Sequence, residues 1–147
     1  MALLIKFPLP DPRPDMKKAL LPALLLCASF AALADEKLLS KQYGACMDRP
    51  DVTTAGMHDC IAAETARQDK SLNAAYKSLQ QALPPARKAQ LLDAQRAWLK
   101  FRDANCSFQA DPDGGTIAGV NASACFMQMT ADRARELSDF AAEAAGR

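Results

Sequence analysis

Hydrophobic positions recur at helical spacing along three long stretches of the chain. From about Met57 to Leu83, residues Ile61, Thr65, Leu72, Tyr76, Leu79 and Leu83 share one face, with Gln68, Asp69 and Glu64 beside them, while Arg67, Lys70 and Lys77 fall outside. Pro84-Pro85 ends this amphipathic helix: the first proline disfavours helix at Leu83, and the second suits the first turn of a new one. The second helix runs from about Pro85 to Gln109, and so short a connection makes the two antiparallel neighbours. Asp111-Pro112-Asp113-Gly114-Gly115 is a turn or loop without apolar content. A third helix starts between Thr116 and Ser123 and aligns Phe126, Thr130, Arg133, Leu137, Phe140 and Ala144. Ahead of these, residues 35–56 form a lead-in segment with a weak helical stretch near Glu36 to Tyr43 and a turn at Asp48 to Asp51; Thr53 or Thr54 is placed to cap the first long helix. No segment alternates as a strand does. The expected fold is all-α, a small antiparallel three-helix bundle over residues 57–147.

The stripes contain polar groups. Leu91, Gln95, Trp98 and Arg102 lie in a narrow angular band, whereas Asp93, Arg96 and Lys100 point the other way. A polar group in a packed stripe costs free energy unless it is paired, so the other helices must supply partners. Glu64, Asp69, Asn73, Gln95, Arg102 and Arg133 are therefore expected to form an inter-helix network, with Glu64, Asp69 and Asn73 as partners for Arg102. The planar guanidinium suits that task because it binds carboxylates through two parallel hydrogen bonds. Architecture is the main reading of this network, and a ligand-binding polar groove is the competing one. If the Arg102 pair is buried, truncating it would cost about 3–5 kcal/mol.

Residues 16–34 have a different character. Met16-Lys17-Lys18, an apolar run through Ala31, and Ala32-Leu33-Ala34 before Asp35 read as a signal peptide cleaved after Ala34, and the run is short for a membrane span. Residues 1–15, with prolines at 8, 10, 12 and 14, resemble neither signal nor fold, so translation is expected to start at Met16. Cys27 is preceded by Leu26 rather than a small residue, which argues against lipid attachment. Cleavage leaves Cys46, Cys60, Cys106 and Cys125, an even set that reads as two structural disulfides with three possible connectivities. Local pairing favours Cys46–Cys60 with Cys106–Cys125, but antiparallel order also brings Cys60 beside Cys106.

Composition narrows the function classes. Half of the 147 residues are hydrophobic and 24% are charged, enough for one domain with a core. Beyond residue 34 there are 14 basic against 15 acidic groups, and no cationic stripe with interleaved aromatics, so nucleic acid is a poor partner. The only histidine, His58, adjoins Asp59 and Cys60, but adjacent helical residues do not face one another and the thiol is expected to be oxidised. Glu64 and Asp69 have the residue types of a glycosidase carboxylate pair, for which ion pairing is the blander account. Met57, His58, Met127 and Met129 have soft-metal chemistry, yet Met127 and Met129 point about 200° apart on a helix. No catalytic residue, cofactor or metal site is assigned. The loop carrying Asp111, Asp113, Gly114 and Gly115 is either a plain turn or an exposed recognition tip.

One combination of residues is far more specific than any piece of it. Cys60 is followed by Glu64, then by Asp69-x-x-Leu72-Asn73-x-x-Tyr76, then by Ala94-Gln95-Arg96-Ala97-Trp98-x-x-Phe101-Arg102-Asp103-x-x-Cys106; Gly114-Gly115-Thr116, Cys125, Thr130, Arg133 and Leu137 continue it. Over roughly residues 46 to 140 the chain resembles the LprI family, the N-terminal domain of LprI-type lysozyme inhibitors and of many exported bacterial proteins. The resemblance implies an exported, disulfide-bonded helical domain and, from the family's name, inhibition of lysozyme. Without a lipobox, the implied location is soluble periplasm or secretion, with no membrane span after signal cleavage. The leading expectation is a protein that blocks the cleft of a lysozyme-type muramidase. The alternatives are a non-catalytic envelope scaffold or adaptor and, more weakly, a binder of a small ligand or metal.

Overall fold

In the computed structural model, residues 38–146 are described; the expected upstream extension (1–15) and the expected signal peptide (16–34) lie outside them. Ser40 opens the first helix, α1 (Lys41–Met47), its hydroxyl accepting the Tyr43 amide at 3.1 Å. Of the expected helical stretch near Glu36 to Tyr43, residues 41–43 are in α1 and Leu38 to Ser40 precede it, the capping serine fixing its start; Glu36 and Lys37 lie outside the described residues. The Thr53 hydroxyl accepts from the Gly56 amide at 3.2 Å and starts α2 (Thr54–Ala82). Leu83 is extended ahead of Pro84, and α3 (Pro85–Phe108) begins with proline in its first turn, as the sequence dictates. The last helix, α4 (Gly115–Ala145), starts earlier than expected. Gly115 takes φ +64°, a conformation that favours glycine, and a Cβ on Gly114 would stand 2.8 Å from that of Ala118, so the glycine pair turns the chain into the helix. The described residues hold four helices and no strand, one more helix than the expected three-helix count.

Chain order does not give the closest packing. The backbones of α2 and α4 run closest together, while α3 lies against α4 and its backbone is not a close neighbour of α2, despite the short Pro84-Pro85 link. Side-chain size explains this. At the α2–α4 seam, Ala131, Ala134 and Ala141 are buried and Gly119 lies beside His58, which lets the two axes approach. The inward positions of α3 are Leu91, Gln95, Trp98 and Arg102, which hold its axis off. Leu91 and Trp98 still reach the main core, formed with Leu72, Leu79, Ala134, Leu137 and Ala141. A second cluster of Ile61, Val120 and Met127 sits under Leu39 and Tyr43 of the N-terminal segment.

Both disulfides take the local pairing. Cys46–Cys60 ties α1 to α2, and Cys106–Cys125 ties the end of α3 to α4, with Cα separations of 5.8 and 5.5 Å. Cys60 with Cys106, which antiparallel order left open, does not form. None of the described helices is long and apolar enough to cross a membrane.

Candidate functional site

The inward polar residues separate into two groups. Glu64 of α2 is wholly buried and joins the helix to the N-terminal segment: it accepts from the Ser40 amide at 2.9 Å and hydroxyl at 2.6 Å, from Gln68 at 2.7 Å and from Arg67 at 2.8 Å. Burial alone would raise its pKa, but the hydrogen bonds from Ser40, Gln68 and Arg67 outweigh it and hold the carboxyl at about 2. Gln68 also donates to the Leu38 carbonyl at 3.2 Å, so two α2 side chains fasten the strap that leads into α1. The Tyr43 hydroxyl is raised, first by burial and then by the nearby Glu64 charge. Ser40 was not among the expected partners, and its only sequence signal is that of a helix-capping serine.

The second group joins α3 to α4. Arg102 donates to the Thr130 hydroxyl at 3.2 Å and to Asp103 at 3.0 Å, and its guanidinium lies 5.1 Å from the Trp98 ring centre and 4.6 Å from that of Phe126. Arg133, 9% exposed, donates to Gln95 at 3.0 Å and to Glu136 at 2.6 Å, and its guanidinium sits 5.7 Å from the same Trp98 ring. Glu64, Asp69 and Asn73 are therefore not the partners of Arg102: Glu64 is occupied by Ser40, and Asp69 and Asn73 stand exposed because α3 keeps its distance from α2. Nor do Glu64 and Asp69 form a carboxylate pair, one being sealed in the core and the other open to solvent.

This arrangement lowers the expected cost of losing Arg102. Asp103 is 57% exposed and keeps its hydration, and the Thr130 hydroxyl retains its bond to the Phe126 carbonyl at 2.7 Å. Arg102→Ala should therefore destabilise by about 1–2 kcal/mol, mainly through lost ring contacts. Urea denaturation checks this, and a loss near 4 kcal/mol would show that the pair behaves as a buried one.

The residues with catalytic or metal-ligating chemistry are dispersed. Cys60 is in a disulfide. His58 Nδ1 lies 3.3 Å from Ser123 Oγ, a hydroxyl that also bonds to the Gly119 carbonyl at 2.9 Å. Met57 and Met127 pack in the Ile61 cluster, whereas Met129 lies against the other disulfide, 3.6 Å from Cys106 Sγ. Among the described residues no group of three or more His, Cys, Asp or Glu is placed to hold a metal.

The turn between α3 and α4 is exposed and internally braced. The Asp113 amide donates to Asp111 Oδ1 at 2.9 Å and the Gly114 amide to the Asp111 carbonyl at 3.0 Å. Cys106–Cys125 closes the base of the loop. Beside it runs an open groove of about 1080 Å³, lined by Asn105, Phe108, Asp111, Pro112, Ala124 and Met129 among others. A family model described as lysozyme inhibitor LprI matches residues 46–137. No curated protein and no solved structure matches the chain.

Proposed function

The chain belongs to the lysozyme inhibitor LprI family, and from that premise we propose that it is an exported, non-catalytic protein that binds a lysozyme-type muramidase and blocks its substrate cleft. The observation that carries the reading is the braced turn at Asp111 to Gly115, exposed to solvent and held by its own hydrogen bonds and by a disulfide at its base. A loop already fixed in shape loses little conformational entropy when it enters a cleft, so more of its contact energy appears as affinity. Export rests on the Met16 to Ala34 leader read from the sequence and on two disulfides, which persist in oxidising compartments such as the periplasm.

Inhibition by this route is stoichiometric. The purified domain should lower muramidase turnover of a cell-wall suspension at equimolar concentration, and Asp111→Asn or Asp113→Asn should weaken it. No loss of turnover at micromolar excess would reject the reading.

A further inference from the structure

Charge is unevenly distributed along the chain. From Asp103 to Asp132 the sequence contains four aspartates and neither lysine nor arginine, whereas the rest of residues 38–146 carries 12 basic and 9 acidic groups. The fold gathers this cation-free stretch into the end of α3, the braced turn and the first half of α4. Asp103 and Asp132 at its margins have arginine neighbours, Arg102 and Arg135 at 3.0 and 3.9 Å, while Asp111 and Asp113 stand exposed at the tip. A nearly neutral protein thus presents one negative end.

The same end displays large apolar side chains that the fold does not use. Phe108 is 86% exposed, Phe101 60% and Ile117 53%. Phe101 and Phe108, seven residues apart, share a face of α3; Ile117, Asn121, Ala124 and Gln128 share a face of α4. Phe108, Asn121, Ala124 and Gln128 line the 1080 Å³ groove, and none of its lining residues is basic. An aromatic anchor in a groove with a single-sign rim has the composition of a protein interface.

We infer that this α3–α4 groove, with Phe108 as its anchor, Asp111 on its rim and Asp113 in the adjoining turn, is the docking surface for a basic protein, the muramidase itself. The inference rests on the inhibitor reading, and the charge selects the occupant. A second copy of this chain, meeting it face to face, would set its own Asp111 and Asp113 against the same pair, and an anionic polymer would be repelled. An enzyme that works on a cell-wall polymer bearing carboxylates has reason to be cationic, which complements this end.

The test measures binding of a cationic c-type lysozyme, and its inhibition, with the full mature chain. Phe108→Ser should raise Kd by about 30-fold. Asp111→Asn with Asp113→Asn should slow association and flatten its dependence on salt. Phe140→Ser, which removes an equally large, 46% exposed side chain from the groove at the other end of α4, should stay within about twofold of wild type. Phe101→Ser provides a second probe of the same α3 face, and matching melting curves show that the variants fold. If wild type inhibits and Phe108→Ser inhibits equally well, this surface is wrong while the inhibitor reading stands. If wild type binds no lysozyme, both fall.

Discussion

Replacing Cys106 and Cys125 by alanine should lower the unfolding free energy by about 3 kcal/mol, the chain-entropy value for a loop of this length. The bridge closes a separation of 19 residues, and Cys106 is fully buried. Its effect should also be local. The axis of α3 stands away from α2, so the last turns of α3 depend on α4 and on this bridge more than an interior helix would. Amides in the last turns of α3 should then exchange faster with solvent than those of α2, and inhibition should weaken because the tip loses its fixed base. The Cys46–Cys60 bridge spans 14 residues and fastens α1, which contributes no buried residue, so its removal should cost a similar amount while leaving the tip intact. Reduction of both bridges should lower the melting temperature by roughly 10 °C or more. Superimposable melting curves with and without reductant would contradict this expectation.

Local chemistry made the helix ends legible and left the neighbours hidden. Thr53 as a cap and Pro84-Pro85 as a break are readable because each acts on its own backbone. The start of α4 is less so, since Gly114-Gly115 signals a turn and gives no hint that the second glycine already begins the helix. Periodicity assigns a residue to a face but does not say which helix that face meets. That choice depends on side-chain volume: alanine and glycine draw α2 and α4 together, and Trp98 and Arg102 hold α3 apart. Asp69 and Asn73 lie at the edge of the α2 stripe, so this difference in spacing decides their exposure. Asp69 ends in an open cleft of about 690 Å³ with His58 and Phe126 rather than in an ion pair. Arg133 with Gln95 was within reach of the sequence because both fall inside apolar stripes and each needs a partner. The Ser40–Glu64 contact was not, since it joins residues 24 apart across a segment that has no periodic pattern.

That contact carries the second large effect. Glu64→Gln should cost about 2–3 kcal/mol at neutral pH, because charge-assisted hydrogen bonds in a buried site become neutral ones and the new amide must point a donor at existing donors. The sign of the pH dependence comes from the depressed pKa. A carboxyl held at about 2, against an ordinary 4.5, contributes its full stabilisation above pH 4.5 and loses it as the pH falls toward 2. For wild type this amounts to about 3 kcal/mol across that window. Other carboxylates titrate there too, so the informative quantity is the difference between the two proteins. The wild-type advantage seen in urea denaturation at pH 7 should shrink steadily below pH 4.5, and Glu64→Gln should show the shallower acid slope. The first structure to loosen should be the strap from Leu38 through α1, since Glu64 and Gln68 hold it. Proteolysis at pH 3 should therefore cut near Ser40 before it reaches α2, and parallel acid slopes for the two proteins would show that this carboxylate is not the linked group.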